Sequence, residues 1–356
     1  MKGFLPLVSF CLLVQLPMYA LGEPRVKALE ATRSEWSTYR FPLFEGASPA
    51  LDRINTYLHV LELDGLPASF EQSPFEQVWP KEDVGPGVTS LDYEIHEQNA
   101  GFVSVDIMSE YVGAYLSLGN RSYAFDLADG QPLSLPALLS EPGLQRLQKR
   151  ISEARVARIE DFPAQVATDT PGEDAETVAI QRDMYERCLP LIRDAGIEHD
   201  RLVLEQTQLT LIAGRCSAHA IRALDDLGPF SNSFAYADLT DDLSPYGRCL
   251  LLKQRGDCAK LRKPQIAGVY HRDINHRRAT LVITPPSADG ASRALYFRDD
   301  TARMAELSLQ HSDDGNLAKL RNLADDAAIA ELRLGHDGQL SGTWQGVEGP
   351  QSLELR

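Results

Sequence analysis

The sequence predicts an α+β block followed by an all-β block, and three patterns carry that prediction. Leu91, Tyr93 and Ile95 alternate with Asp92, Glu94 and His96, the period of a strand buried on one face. Leu51, Ile54, Leu58 and Leu61 recur at helical spacing behind Ser48. Serine suits a helix N-cap because its side-chain oxygen accepts a free backbone N–H of the first turn. Beyond Pro264 the chain becomes a series of short alternating runs punctuated by Asp289-Gly290, Asp314-Gly315 and Asp337-Gly338. Asp-Gly is a strong hairpin signal, since both residues tolerate positive φ.

Taken in order, Trp36–Phe44 reads as a strand and the stretch after Ser48 as a helix. One strand then runs through Ile95 and a second from Phe102 to Ile107, past Asn99-Ala100-Gly101. The pattern continues from Tyr111 to Leu118 and from Tyr123 to Leu127, with Gly119-Asn120 as a turn and Asp129-Gly130 closing an antiparallel meander. Leu144, Leu147, Ile151, Val156 and Ile159 mark a long helix. Pro163–Gly172 is a break, and Asp174–Arg187 reads as a further helix leading to Cys188. Leu202–Leu204 and Leu209–Ile212 form a strand pair. Helices packed on an antiparallel sheet make this block α+β. In the last block, strands are expected at Ala267–His271, Ala279–Thr284, Ala294–Phe297, Ala305–Gln310, Leu317–Leu323, Ile329–Leu334, Leu340–Trp344 and Ser352–Leu355. About eight such strands suit an up-and-down barrel or a sandwich.

The start of the chain sets the compartment. Lys2, an apolar run from Phe4 to Leu16 and the small residues of Ala20-Leu21-Gly22 have the order of parts of a secretory signal peptide. The run is too short to anchor in a bilayer. The expected organisation is a signal peptide over 1–22, an α+β binding domain over 23–263 and a barrel-like domain over 264–356. The expected location is the periplasm or the secreted fraction. Cys11 follows Phe10 inside the apolar run, where a lipidated cysteine would follow a small residue at its end. The other four cysteines, Cys188, Cys216, Cys249 and Cys258, are an even set, which in an oxidising compartment reads as two disulfides. Three pairings are open. Cys188–Cys216 and Cys249–Cys258 close the shortest loops and are the expected ones. No later apolar stretch approaches the roughly 18 residues of a membrane span.

The formal net charge is −16, and losing Lys2 with the leader makes the remainder more negative still. Such a surface repels nucleic acid and anionic membranes and draws in cationic partners at low salt. Solubility alone also accounts for an acidic surface.

The familiar catalytic signatures are missing. There is no G-x-S-x-G elbow, no H-E-x-x-H, no P-loop and no G-x-G-x-x-G. His271-Arg272-Asp273 imitates a kinase catalytic loop without its companions. His271, Asp273 and His276 have the minimum donors for a metal, but Arg272, Arg277 and Arg278 oppose a cation, and a solvated hairpin tip is the simpler reading. The acidic pairs Asp225-Asp226, Asp241-Asp242, Asp299-Asp300 and Asp325-Asp326 lack the spacing of a calcium loop. Asn120-Arg121-Ser122 is a formal glycosylation sequon. No cofactor and no metal are expected.

One stretch says more. Gly113-Ala114-Tyr115, followed by Tyr123-Ala124-Phe125-Asp126-Leu127-Ala128-Asp129-Gly130-Gln131-Pro132-Leu133-Ser134-Leu135, resembles a bacterial exported domain of unknown function. That domain is shared by the lysozyme-sensing anti-sigma factor and a peptidoglycan deacetylase accessory region. The resemblance covers roughly residues 36–245. Tyr115 stands where better-known members carry histidine, and the sigma-binding, membrane-spanning and deacetylase parts are lacking. It implies a binding module of the cell envelope, with Tyr111, Gly113 and Tyr115 as candidate binding residues. The same residues also have a structural explanation, with Gly113 and Gly130 in turns and Phe125, Leu133 and Leu135 in a core. The expected function is therefore a soluble exported binding protein for an envelope or secreted partner, such as a cationic lysozyme-like hydrolase or a toxin. The alternative is an envelope glycan- or peptide-processing enzyme with dispersed carboxylates in an inter-domain cleft. A further idea is an apolar ligand held inside the barrel.

Overall fold

The computed structural model describes residues 24–35, 37–81, 85–162, 175–253, 258–274, 277–285, 292–298, 303–312, 317–323, 327–335, 339–346 and 349–355. The expected signal peptide, Cys11, Trp36, the break after Phe162, His276 and the three Asp-Gly turns of the last block lie outside the described residues.

Five strands form the first sheet in the order β1 (Arg25–Ser34), β2 (Ser37–Glu45), β3 (Gly87–Gln98), β4 (Phe102–Val112) and β5 (Leu116–Asp126). Neighbours are antiparallel except β2 and β3, which meet in parallel at Tyr39 and Leu91. The helix α1 (Pro49–Glu62) lies in the connection between them. Ser48 caps α1, its hydroxyl accepting from the Ala50 N–H, and Pro49 occupies the first turn, where its missing N–H is no loss. Ile54 and Leu58 are fully buried on the stripe facing the sheet. Asn55 on α1 behaves like an extra strand residue: its amide both donates to the Phe44 carbonyl and accepts from the Phe44 N–H, each at 2.9 Å.

β4 explains its own sequence. Phe102 through Ile107 are all buried, because both faces of the sheet are covered there. Val103, Val105 and Ile107 join the core under α1, while Phe102 joins a second core. That second core is built by α2 (Leu135–Leu138), α3 (Glu141–Glu160) and a small antiparallel sheet of β6 (Arg201–Leu204), β7 (Gln208–Ala213) and β8 (Phe230–Ala235). Beyond Ile107 both covers end, and the β4–β5 hairpin projects.

α4 (Ala175–Asp194) packs on α3 and carries Cys188, which is bonded to Cys216; the second disulfide joins Cys249 to Cys258. The turn at Asp126–Gly130 is a clasp. Gly130 has φ 74°, and a Cβ there would lie 2.3 Å from the Ala50 carbonyl oxygen, so only glycine fits. The buried Asp126 carboxylate accepts from the Tyr246 hydroxyl at 2.7 Å and from Arg262 at 3.1 Å, and Arg262 also pairs with Asp129. Burial, joined by the nearby Asp129 charge, holds Asp126 above the ordinary carboxylate range.

The last block is one antiparallel sheet of eight strands, β9 to β16: Gly268–Ile274, Arg277–Ile283, Ser292–Arg298, Arg303–His311, Leu317–Asn322, Ala328–Leu334, Leu340–Gly346 and Gly349–Leu355. It nearly closes into a barrel, with Arg272 on β9 donating to the Glu354 carbonyl on β16 at 3.0 Å. Alternate side chains, Leu281, Leu307, Leu320, Leu332, Leu340 and Leu353 among them, pack on one another inside. Among the described residues these side chains occupy the barrel interior, which argues against an apolar ligand held there. Val269, Val282, Leu295 and Phe297 instead join the α1 core, so the barrel wall and the first sheet share one apolar layer.

Three sequence expectations are corrected. Gly119 and Asn120 form no turn; β5 runs straight through them, and the reversal is at Gly113–Tyr115. The helix expected to end at Arg187 continues to Asp194. A strand, β1, precedes the first one expected.

Candidate functional site

The doubly covered half of the β4–β5 hairpin fixes its outer half in place. Tyr111 (44 % exposed), Tyr115 (74 %), Leu116 (52 %) and Leu118 (61 %) sit on that outer half. Tyr115 lies in the loop, which the Gly113 N–H closes onto the Tyr115 carbonyl at 3.3 Å. The Tyr111 ring lies over Gly113, where a Cβ would meet it at 3.0 Å. The three residues singled out from the resemblance are thus brought together at one exposed tip.

Strand parity gives the hairpin two faces. On one, Tyr111, Ser109, Ser117, Gly119 and Arg121 border a groove of about 570 Å³ whose other walls include Glu62, Asp64, Trp79 and Lys81, with Arg293 from β11. Glu62, the last residue of α1, is buried; Arg121 reaches both its oxygens at 3.1 Å and the Tyr123 hydroxyl donates to it. Burial raises the Glu62 pKa against the opposing pull of Arg121 and Tyr123. The carboxylate in turn pushes Arg121 further up. Asp64 is also raised by burial, offset by Arg293 and Arg121, and its backbone is left-handed at φ 51°. Arg293 is held by Glu306 at 2.6 Å. Because Glu62 is enclosed and saturated with donors, the groove presents the Arg121 guanidinium, 59 % exposed, rather than the acid. Flat apolar rings, guanidinium groups and a shallow cleft are the ingredients of a protein- or glycan-binding surface.

On the opposite face, Leu118 and Asn120 border a larger groove of about 920 Å³ against α4 and the Cys188–Cys216 bridge. Where the hairpin leaves its cover, the Ser122 hydroxyl and Arg201 both donate to the buried Asp106, at 2.5 and 2.7 Å, with His96 3.3 Å away. The sequon residues Asn120 and Ser122 are therefore strand residues at this junction.

Other sequence candidates have structural partners. Asp225 accepts from Tyr185, Ser217 and the Gly228 N–H, and Asp226 from Gln181. Asp242 pairs with Arg146 at 2.7 Å. His271 contacts Thr280 at 3.1 Å. The side chain of Asp273 and the pairs Asp299-Asp300 and Asp325-Asp326 lie outside the described residues. Among the described residues no group of three or more His, Cys, Asp or Glu is placed to hold a metal ion, and no helix is long and apolar enough to cross a membrane.

Sequence reasoning missed Glu62, Trp79, Arg121 and Arg293. The signal for Glu62 was present: it falls four residues after Leu58, on the buried stripe of α1.

No family model matches the chain, and no curated protein matches it. Among solved structures it is similar to a DUF3298 family member from Bacteroides fragilis NCTC 9343, with TM-score 0.40, 10% identity, 62% of this chain and 93% of that one covered. It is also similar to a DUF3298 family protein from Pseudomonas aeruginosa PAO1, with TM-score 0.39, 16% identity, and 62% and 94% covered.

Proposed function

We propose that this protein is an exported binding protein that engages a cell-envelope or secreted partner with the tip of the β4–β5 hairpin and the groove beneath it. One observation carries the reading: Tyr111, Tyr115, Leu116 and Leu118 are held out in solvent on a strand pair whose base is buried on both faces. Large apolar groups on a rigid support lose little freedom on binding, which favours affinity. Two disulfides are compatible with export. In this reading 1–22 is the leader, 23–263 the binding domain and 264–356 the barrel that supports it. The resemblance of Gly113–Leu135 supplies the class of partner, a cationic lysozyme-like hydrolase. A net charge of −16 would speed encounter with such a partner more than it would fix affinity.

The test is a titration of the purified protein against a lysozyme at low and physiological salt, with muramidase activity followed in parallel. Saturable binding that survives physiological salt supports the reading, and loss of activity marks an inhibitor. Binding abolished by salt reduces it to opposite charges meeting and overturns it.

A second reading, processing of envelope glycan, draws on Asp64, a carboxylate held above its ordinary range by burial in the groove beside the Arg121–Glu62 pair. It predicts soluble fragments released from purified peptidoglycan by the wild type and not by Asp64→Asn. Absence of wild-type release removes it.

A further inference from the structure

β5 is the last strand of its sheet, and its outer half is a free edge. The Ala124 carbonyl accepts from the Leu133 N–H at 2.8 Å, and the Asp126 N–H donates to the Gln131 carbonyl at 3.0 Å, both on the side away from β4. The β4–β5 register runs unbroken from Phe102–Asp126 to Val112–Leu116. Antiparallel strands alternate the edge toward which each residue turns its backbone groups. Leu116, Leu118 and Asn120, of the same parity as Ala124, therefore turn N–H and C=O outward. Among the described residues these outward groups have no hydrogen-bond partner.

Exposed edges are normally blunted by charge, proline or a cover. The other edge of this sheet, β1, carries Arg25, Lys27, Glu30 and Arg33, and the two edges of the barrel nearly meet. The β5 edge from Leu116 to Asn120 carries no charge and no proline.

What faces this edge identifies an occupant. The groove of about 920 Å³ is walled by Leu118 and Asn120 on one bank and by Met184, Leu191 and Ile192 of α4 on the other. Arg187, Arg201, Arg215 and Arg222 also line it. Arg201 and Arg215 are anchored on the buried Asp106 and Asp225 yet stay 30 % and 36 % exposed, and Arg187, paired with Asp183, is 75 % exposed. The one carboxylate among the described lining residues, Asp200, is held by the buried Arg155. A molecule of net charge −16 thus concentrates arginine beside a free strand edge.

We infer that the β5 edge accepts an extended, carboxylate-bearing segment of a partner protein, which adds as a sixth strand. Backbone hydrogen bonds to Leu116, Leu118 and Asn120 supply the pairing, and the arginines select acidic side chains. Leu118 borders both this groove and the Glu62 groove, but the pairing uses outward backbone groups of β5 and stands whatever occupies the Glu62 groove. The matching edge of a second copy, residues 116–120, would bring no carboxylate to these arginines, which favours a segment of a partner protein.

Two eight-residue peptides, alternating valine with glutamate or valine with lysine, are titrated into the purified protein at physiological salt. The glutamate peptide is expected to bind at least about tenfold more tightly and to protect the Leu116, Leu118 and Asn120 amides from hydrogen exchange. Leu118→Pro removes an outward donor without touching the β4 pairing and should weaken binding about tenfold more than Leu118→Thr, which loses the same side chain but keeps the donor. Should Leu118→Pro fail to fold, N-methylation of alternate peptide nitrogens performs the same test from the ligand side. Equal binding of the two peptides, no binding of either, or indifference to both blocks overturns the proposal. A dimer in sedimentation that Leu118→Pro dissolves also overturns it, by assigning the edge to a second copy.

Discussion

The first block and the barrel hold themselves together by different means. Buried polar and charged side chains are concentrated in the first block, where Asn55, His59, Glu62, Asp106, Asp126, Arg155, Gln181, Asp225 and Asp242 are all buried. In the barrel the described buried polar residues are Thr280 and Ser292. Its core is mainly leucine, isoleucine and alanine with one tyrosine and one tryptophan. The lesson is one of vulnerability. An apolar core responds to lost volume and is indifferent to pH, whereas a core laced with ion pairs responds sharply to the loss of one charge.

The largest effect is expected where an ion network closes the first block. Arg262→Ala leaves the Asp126 carboxylate buried without its guanidinium and should lower stability by about 3–5 kcal/mol, read from denaturant midpoints. Leu332→Ala in the barrel, at a fully buried site, should lose about 2–5 kcal/mol, and its loss should be the same at pH 5 and pH 8. A pH-dependent Leu332 effect would break the contrast between the blocks.

The two disulfides sharpen the comparison within the first block. Cys188–Cys216 spans 28 residues and Cys249–Cys258 spans 9. Chain entropy then assigns about 3.5 kcal/mol to the first and about 2.5 kcal/mol to the second. Paired serine substitutions, compared by thermal unfolding, should rank in that order.

The pH response should show opposing contributions. Burial lowers His59 from its ordinary 6.5 to about 4, against the pull of its bond to the Asn55 carbonyl. Folding therefore favours neutral His59, and the stability this brings is present above pH 6.5 and lost as pH falls toward 4, up to about 3 kcal/mol in all. Glu62 and Asp126 are raised by burial, so their contribution has the opposite sign, present in acid and lost as pH rises through their folded pKa. His59→Phe should flatten the limb between pH 6.5 and 4; an unchanged limb would mean that His59 is not held neutral.

Legibility in the sequence followed the same division. The eight barrel strands were readable because each alternates on a single buried face, and their order in the sheet is the order in the chain. α1 announced itself through Ser48 and its apolar stripe. The hairpin reversal was misread because a glycine can serve two purposes. Gly119 sits opposite Ser109, whose hydroxyl would lie 2.6 Å from an added Cβ; it permits close strand approach and makes no turn. The tip residues Tyr111, Gly113 and Tyr115 came from a resemblance. The groove was hidden because Glu62, Trp79, Arg121 and Arg293 come from four distant segments, and no local period links them.

The central claim is that the hairpin tip binds while the body supports it. The most direct measurement compares wild type with Tyr115→Ala/Leu118→Ser in lysozyme binding at physiological salt, with the unfolding midpoint of each recorded alongside. Both substitutions are at exposed positions, so stability should hold within about 0.5 kcal/mol, while affinity should fall at least about tenfold. Unchanged affinity at unchanged stability would contradict the account and move the binding surface elsewhere on the molecule.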